Sequence, residues 1–157
     1  MPFDTGDLDT RETALLALEY IRNGARWFEE AAQEHQYGDE VLRALSEVAA
    51  ANREFAGDLE IRIEEHFGTA GEFDVKRVRG LKRPDWLVEA TSAVTTRRDV
   101  LEVATAEQEE HYQFFLQEES EVEDPWLQSL FRDLGRHARR VLVFLEEERE
   151  GLLDQEG

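Results

Sequence analysis

Four histidines (His35, His66, His111 and His137) and 37 acidic side chains are the groups in this chain equipped to hold a cation or move a proton. On a helix, residues three apart face the same way, so a Glu-x-x-His pair is the spacing that presents two donors to one metal. The residues three before the histidines are Ala32, Ile63, Gln108 and Leu134, and the sequence has no such pair. It also has no cysteine, which excludes thiolate metal sites, iron–sulfur ligation, disulfides and cysteine nucleophiles. No serine, histidine and carboxylate pattern nominates a hydrolase, and no glycine-rich phosphate loop is present.

Two amides hold the more informative positions. Leu101, Ala104, Gln108, His111 and Phe115 recur at spacings of three and four and so share one helix face. Leu45, Val48, Asn52, Phe55 and Leu59 form a second stripe of the same kind. Gln108 and Asn52 therefore point where a core belongs. A buried amide must find partners or cost a few kcal/mol. Asn52, Gln108 and His111 are the candidate polar core, with an Asn52–Gln108 hydrogen bond across the bundle as the structural reading. A small-molecule pocket and an unusual metal site are the two alternatives. His111 is expected to bond Gln108 or to lie near Tyr112, and His137 to sit at the surface or boundary. His35 and His66, near helix ends, suit the negative end of the helix dipole.

Four amphipathic helices carry these residues. Asp9-Thr10-Arg11-Glu12 reads as a capping box and starts a helix over about 10–34, with Ala14, Ala17, Leu18, Ile21, Gly24, Ala25, Phe28 and Ala32 on its apolar face. Gly24 predicts a close crossing. The second helix covers about 40–66 with Asp39 as its cap, the third about 97–122, and the fourth about 125–152 with Asp124 as cap and Pro125 in the first position. Leu127, Leu130, Phe131, Leu134, Ala138, Val141 and Leu145 face inward on the fourth helix, and Arg132, Arg136, Arg139 and Arg140 lie outside. Periodicity fails over 67–96, a long connection containing Gly68, Gly71, Gly80 and Pro84 that must pack on the domain to be ordered. The expected fold class is all-α: one domain over 1–157, a four-helix bundle of two antiparallel hairpins joined by that crossover.

An internal duplication agrees with this layout. Leu45, Val48, Asn52, Phe55 and Leu59 are matched at one constant offset by Phe131, Leu134, Ala138, Val141 and Leu145. Trp27-Phe28 is matched by Phe114-Phe115, one residue further on.

Charge bounds the partners. A net charge of −19 repels nucleic acid and anionic lipid, so neither is expected. The crossover residues Lys76, Arg77, Arg79, Lys82 and Arg83 read as a charge-neutralising belt within or between subunits, with an anion or acidic-partner patch as the alternative. Lys76 and Lys82 are the only lysines, a bias that genomic composition explains more simply than a salty habitat. The first residues lack the basic start and apolar run of a signal peptide, and no run reaches the 18 or so apolar residues of a membrane span, so the cytoplasm is the default location.

The stretch ALEYIRNGARWFEEAAQEHQYGDEVLRALSEVAAANREFAGDLE resembles the first half of rubrerythrin-type domains of the ferritin-like superfamily, and ATAEQEEHYQFFLQEESEVEDPWLQSLFRDLGRHARRVLVFL resembles the second half. The resemblance covers about residues 10–150 and rests on aromatic, alanine and leucine spacing. It implies a pair of metals held by one glutamate each from the first and third helices and a Glu-x-x-His pair each from the second and fourth. Carried onto this chain, those positions fall on Ile21, Gln108, Asn52 with Phe55, and Ala138 with Val141. Every ligand is replaced, and Ile21, Phe55 and Val141 are expected to put apolar bulk where cations would sit. The resemblance thus implies a metal-free, cofactor-free bundle with a binding or scaffolding role. It would act as a homodimer joined through aromatic ends that include Trp86 and Trp126, with a further protein or small-molecule partner unidentified. The alternative is a diiron-type oxidoreductase or metal-storage protein with a displaced site built from Glu54, Glu107, Glu109 and His111.

Overall fold

The computed structural model describes residues 9–33, 38–68 and 97–156, and these form a four-helix, all-α bundle. The helices are α1 (Thr10–Ala32), α2 (Asp39–Phe67), α3 (Arg97–Glu121) and α4 (Pro125–Glu156). The crossover, with Lys76, Arg77, Arg79, Lys82, Arg83 and Trp86, lies outside the described residues, as does His35.

Local chemistry explains the helix ends. The Glu12 amide donates to the Asp9 carboxylate at 2.7 Å and the Asp9 amide to the Glu12 carboxylate at 3.4 Å, which closes the capping box of α1. Before α4, the Leu127 amide donates to Asp124 Oδ1 at 2.8 Å. The start of α2 departs from expectation: Gly38, at φ 85°, holds the cap position and Asp39 is the first helical residue. A left-handed backbone there favours glycine, and Asp39 and Glu40 then serve the first turn through charge rather than as a side-chain cap. Gly68 ends α2 at φ 80°.

Packing joins α1 chiefly to α2 and α3 chiefly to α4. Arg22 pairs with Glu60 at 2.7 Å while Arg53 pairs with Glu29, so residues later in α1 meet residues earlier in α2. Arg132 with Glu119 (2.8 Å) and Arg139 over the Tyr112 ring (5.9 Å) show the same reversed order for α3 and α4. Such exposed pairs contribute little stability, each no more than about 1 kcal/mol.

The apolar core is two clusters. One holds Ala14, Leu18 and Ile21 of α1, Leu59 and Ile63 of α2, Phe114 and Phe115 of α3, and Leu130, Phe131 and Leu134 of α4. The other holds Trp27 and Phe28 of α1, Val41, Leu45 and Val48 of α2, Leu101 and Ala104 of α3, and Val141 and Leu145 of α4. Every helix contributes one half to each cluster. The N-terminal halves of α1 and α4 meet the C-terminal halves of α2 and α3, so α2 and α3 run in the same direction.

Candidate functional site

Between the two apolar clusters lies a layer of buried polar side chains. In α2, Asn52 separates Ala49 of one cluster from Ala56 of the other, and in α3 Gln108 and His111 separate Ala104 from Phe114. His137 on α4 and Tyr20 on α1 complete the layer, and all five side chains are buried. Helical spacing produces this arrangement: Asn52, Gln108 and His111 occupy the inward stripes, so the bundle that buries Leu and Phe above and below must bury them too.

The partners in the layer differ from those expected. His137 Nε2 donates to Asn52 Oδ1 at 2.6 Å, so the amide's partner is an imidazole of α4 and not Gln108. His111 meets Tyr20: the phenol oxygen lies 2.6 Å from Nε2, with Nδ1 also within bonding distance. Glu107 adds a carboxylate oxygen 3.3 Å from the same Nε2. The expectations that His137 lies at the surface and that His111 bonds Gln108 are thereby corrected. His137 comes within reach because it stands beside Ala138, whose small side chain lets α4 approach Asn52, while the ring of Phe55 stacks on the imidazole at 4.4 Å.

A small cavity of about 30 Å³ opens inside the layer, bordered by Tyr20, Ile21, Gly24, Asn52, Gln108, His111, His137 and Ala138 together with Trp27, Phe28 and Phe115. It has room for about one water molecule. Gly24 also borders it; a methyl group added there would lie 3.4 Å from Asn52 Nδ2, an ordinary van der Waals contact, so the crossing here does not require glycine. Of the six positions implied by the family resemblance, Ile21, Asn52, Gln108 and Ala138 border this cavity. Phe55 and Val141 do not fill it; they line an outer groove between α2 and α4.

Burial sets the ionisation of the layer. His137 is pushed down to about 4, first by its burial and then by the Arg140 guanidinium, so its imidazole is neutral at ordinary pH. Tyr20 is raised well above the usual phenol range by burial and by the Glu107 carboxylate, so it remains a neutral hydrogen-bond donor. Neutral donors and acceptors suit a closed internal network better than a nucleophile or a base exchanging protons with solvent.

The donor set does not fit a pair of metals. Among the described residues, no three His, Asp or Glu side chains converge closely enough to hold a cation. Glu54 and Glu109 are exposed, Glu54 lines the outer groove, and Glu107 meets His111 and acts on Tyr20. Sequence reading had missed two members of the layer, Tyr20 and His137. Tyr20 sits one residue before Ile21, and His137 one before Ala138, beside the stripes rather than on them.

The outer groove has a volume of about 370 Å³. Val48, Ala51, Phe55, Val141 and Phe144 supply its apolar lining, with Glu47, Glu54, Asp58 and Arg140 as charged groups and His137 shared with the inner layer. Farther along α2, toward its C-terminal end, His66 stacks on Trp126 at 4.4 Å, Phe67 meets the same indole edge-on at 5.0 Å, and Arg62 lies 5.6 Å from its centroid. Trp126 is thus largely occupied within its own chain. No helix of the described residues is long and apolar enough to cross a membrane. Compared with known protein families, curated proteins and solved structures, the chain has no match in any of the three.

Proposed function

We propose that this chain is a metal-free, ferritin-like four-helix bundle with a non-catalytic binding or scaffolding role, in which a hydrogen-bonded polar layer stands where a diiron centre would be. The observation that carries the reading is the pairing Asn52–His137 and Tyr20–His111 at mid-bundle, around a cavity bordered by four of the six expected ligand positions. The parallel course of α2 and α3 supports the ferritin-like layout. Two antiparallel hairpins joined by one long crossover place their second and third helices in the same direction. Cations in such a layer would need anionic ligands around them, and amides, the neutral imidazole of His137 and an isoleucine do not supply that charge.

A homodimer and a protein or small-molecule partner belong to the same proposal, as does a cytoplasmic setting. Sedimentation equilibrium tests the first. The contact between Glu107 and His111 is the one feature that favours the rival, a displaced metal site. Thermal unfolding separates the two readings. The midpoint is expected to be the same with chelator, without it, and with added ferrous, manganous or zinc ions. A metal that binds only the folded state would stabilise it by about 3 kcal/mol at a hundred times its Kd, so a clear rise in midpoint would favour the rival.

A further inference from the structure

The acidic row along the outer groove has no counterpart in the ion pairing elsewhere on the bundle. Arg22, Arg53, Arg62 and Arg132 each reach a carboxylate on a neighbouring helix. Glu47, Glu54 and Asp58, by contrast, have no basic partner within 4.0 Å among the described residues. They stand on one side of α2 at spacings of seven and four. At about 1.5 Å of rise per residue the row spans about 16 Å. Beside it runs the apolar lining of Val48, Phe55, Val141 and Phe144. Arg140 is the single cation in the wall, so the lining stays net negative.

His137 adds a polar atom. The residue is only 7% exposed and lines the groove as well as the inner cavity. Its Nε2 hydrogen goes to Asn52, which leaves Nδ1 as a lone-pair acceptor with no hydrogen-bond partner among the described residues. No buried side-chain nitrogen or oxygen among the described residues lacks a partner, so this nitrogen is open to solvent, and the carboxylate row calls for positive charge.

We propose that the groove between α2 and α4 binds a linear aliphatic polyamine, two of its ammonium groups over Glu54 and Asp58, with Glu47 extending the negative wall, and its methylene runs on Phe55, Val141 and Phe144. Alkyl segments of three or four carbons space ammonium groups by about 5 to 6 Å, close to the rise of about 6 Å between Glu54 and Asp58. A volume of about 370 Å³ lies in the range of small-molecule sites and is too small for a partner helix. Burying the methylenes supplies the apolar contribution, and the charges select against neutral chains of equal length. This inference rests on the binding role proposed above and gives it a ligand. Metal uptake tests the metal-free part of that role separately.

The test is calorimetric titration of the full chain with spermidine at low ionic strength, alongside pentylamine and 1,6-hexanediol. Saturable one-to-one binding of spermidine is expected, with pentylamine weaker by about tenfold or more and hexanediol silent. The double variant Glu54→Gln/Asp58→Asn should lose about tenfold or more in affinity, with its helical content and unfolding midpoint retained. Removing two exposed carboxylates elsewhere, in Glu109→Gln/Glu110→Gln, should leave binding unchanged, and the His137 ring resonances should shift on titration in the parent chain. Equal losses in the two double variants would show diffuse counter-ion attraction to an acidic protein and overturn the proposal. Absence of saturable binding would overturn it too.

Discussion

His137 Nε2 lies 2.6 Å from the amide oxygen of Asn52, in the polar layer between the two apolar clusters of the bundle. The two residues come from different helices and each is the other's answer to burial. Asn52→Ala leaves the imidazole donor unsatisfied and should destabilise the fold by about 1 to 3 kcal/mol. Urea unfolding measures it; a change within about 0.3 kcal/mol would mean that water or a rotated ring replaces the amide at no cost.

The same pair makes stability depend on acid. His137 titrates at about 4 in the fold, while an unfolded imidazole titrates near 6.5. Between those values the unfolded chain binds a proton that the folded chain does not, so this group's contribution falls as pH drops from about 6.5 to about 4 and is level outside that window. Over the whole window it amounts to about 3 kcal/mol. Arg140 on α4 and the carboxylates Glu47, Glu54 and Asp58 on α2 line the same groove as the ring. The comparison that isolates His137 is therefore the parent chain against His137→Gln. The parent's advantage should shrink on going from pH 7 to pH 4.5, and a pH-independent difference would contradict the account.

Tyr20 predicts the opposite limb. Its phenol is raised by burial and by Glu107, so the unfolded chain releases the proton first. The stability it contributes is present below about pH 10, the ordinary phenol value, and is lost as pH rises beyond it. Tyr20→Phe should cost about 1 to 2 kcal/mol at neutral pH through the lost contact with His111, and less in alkali. Alkaline unfolding curves of the two chains should converge.

Packing on either side of the layer should be far less forgiving. Phe131 is wholly buried against Phe115, with ring centroids 6.3 Å apart. Phe131→Ala should cost about 3 to 5 kcal/mol, and the exposed pair Arg132–Glu119 no more than about 1. Comparable losses from the two would mean that the helices do not pack as described.

With a net charge of −19, the folded chain also repels itself. Its unfolding midpoint should rise between about 0.05 and 0.5 M sodium chloride as screening shortens the reach of that repulsion.

The helices and their inward faces were legible from periodicity. Leu101, Ala104, Gln108, His111 and Phe115 were read as one stripe and are all buried. Capping chemistry located the start of α1 at Asp9, but misassigned the cap of α2, because Gly38 reaches the cap position through a positive φ that the Asp39 side chain masks in the sequence. The polar layer was half legible. Asn52 and Gln108 betrayed themselves by interrupting stripes, whereas Tyr20 and His137 flank theirs, and long rings reach inward from flanking positions in ways that spacing alone does not encode. The groove could not be read at all, since Glu47, Glu54 and Asp58 look like any solvated helix face until α4 is laid beside them.

The central claim is that hydrogen bonds have taken the place of metal at mid-bundle, and metal stoichiometry tests it most directly. The chain would be purified without chelator, analysed for metals, then incubated with ferrous iron without oxygen, desalted and analysed again. The account predicts less than about 0.1 metal per chain in both samples, whereas about two irons per chain, the content of a diiron bundle, would contradict it.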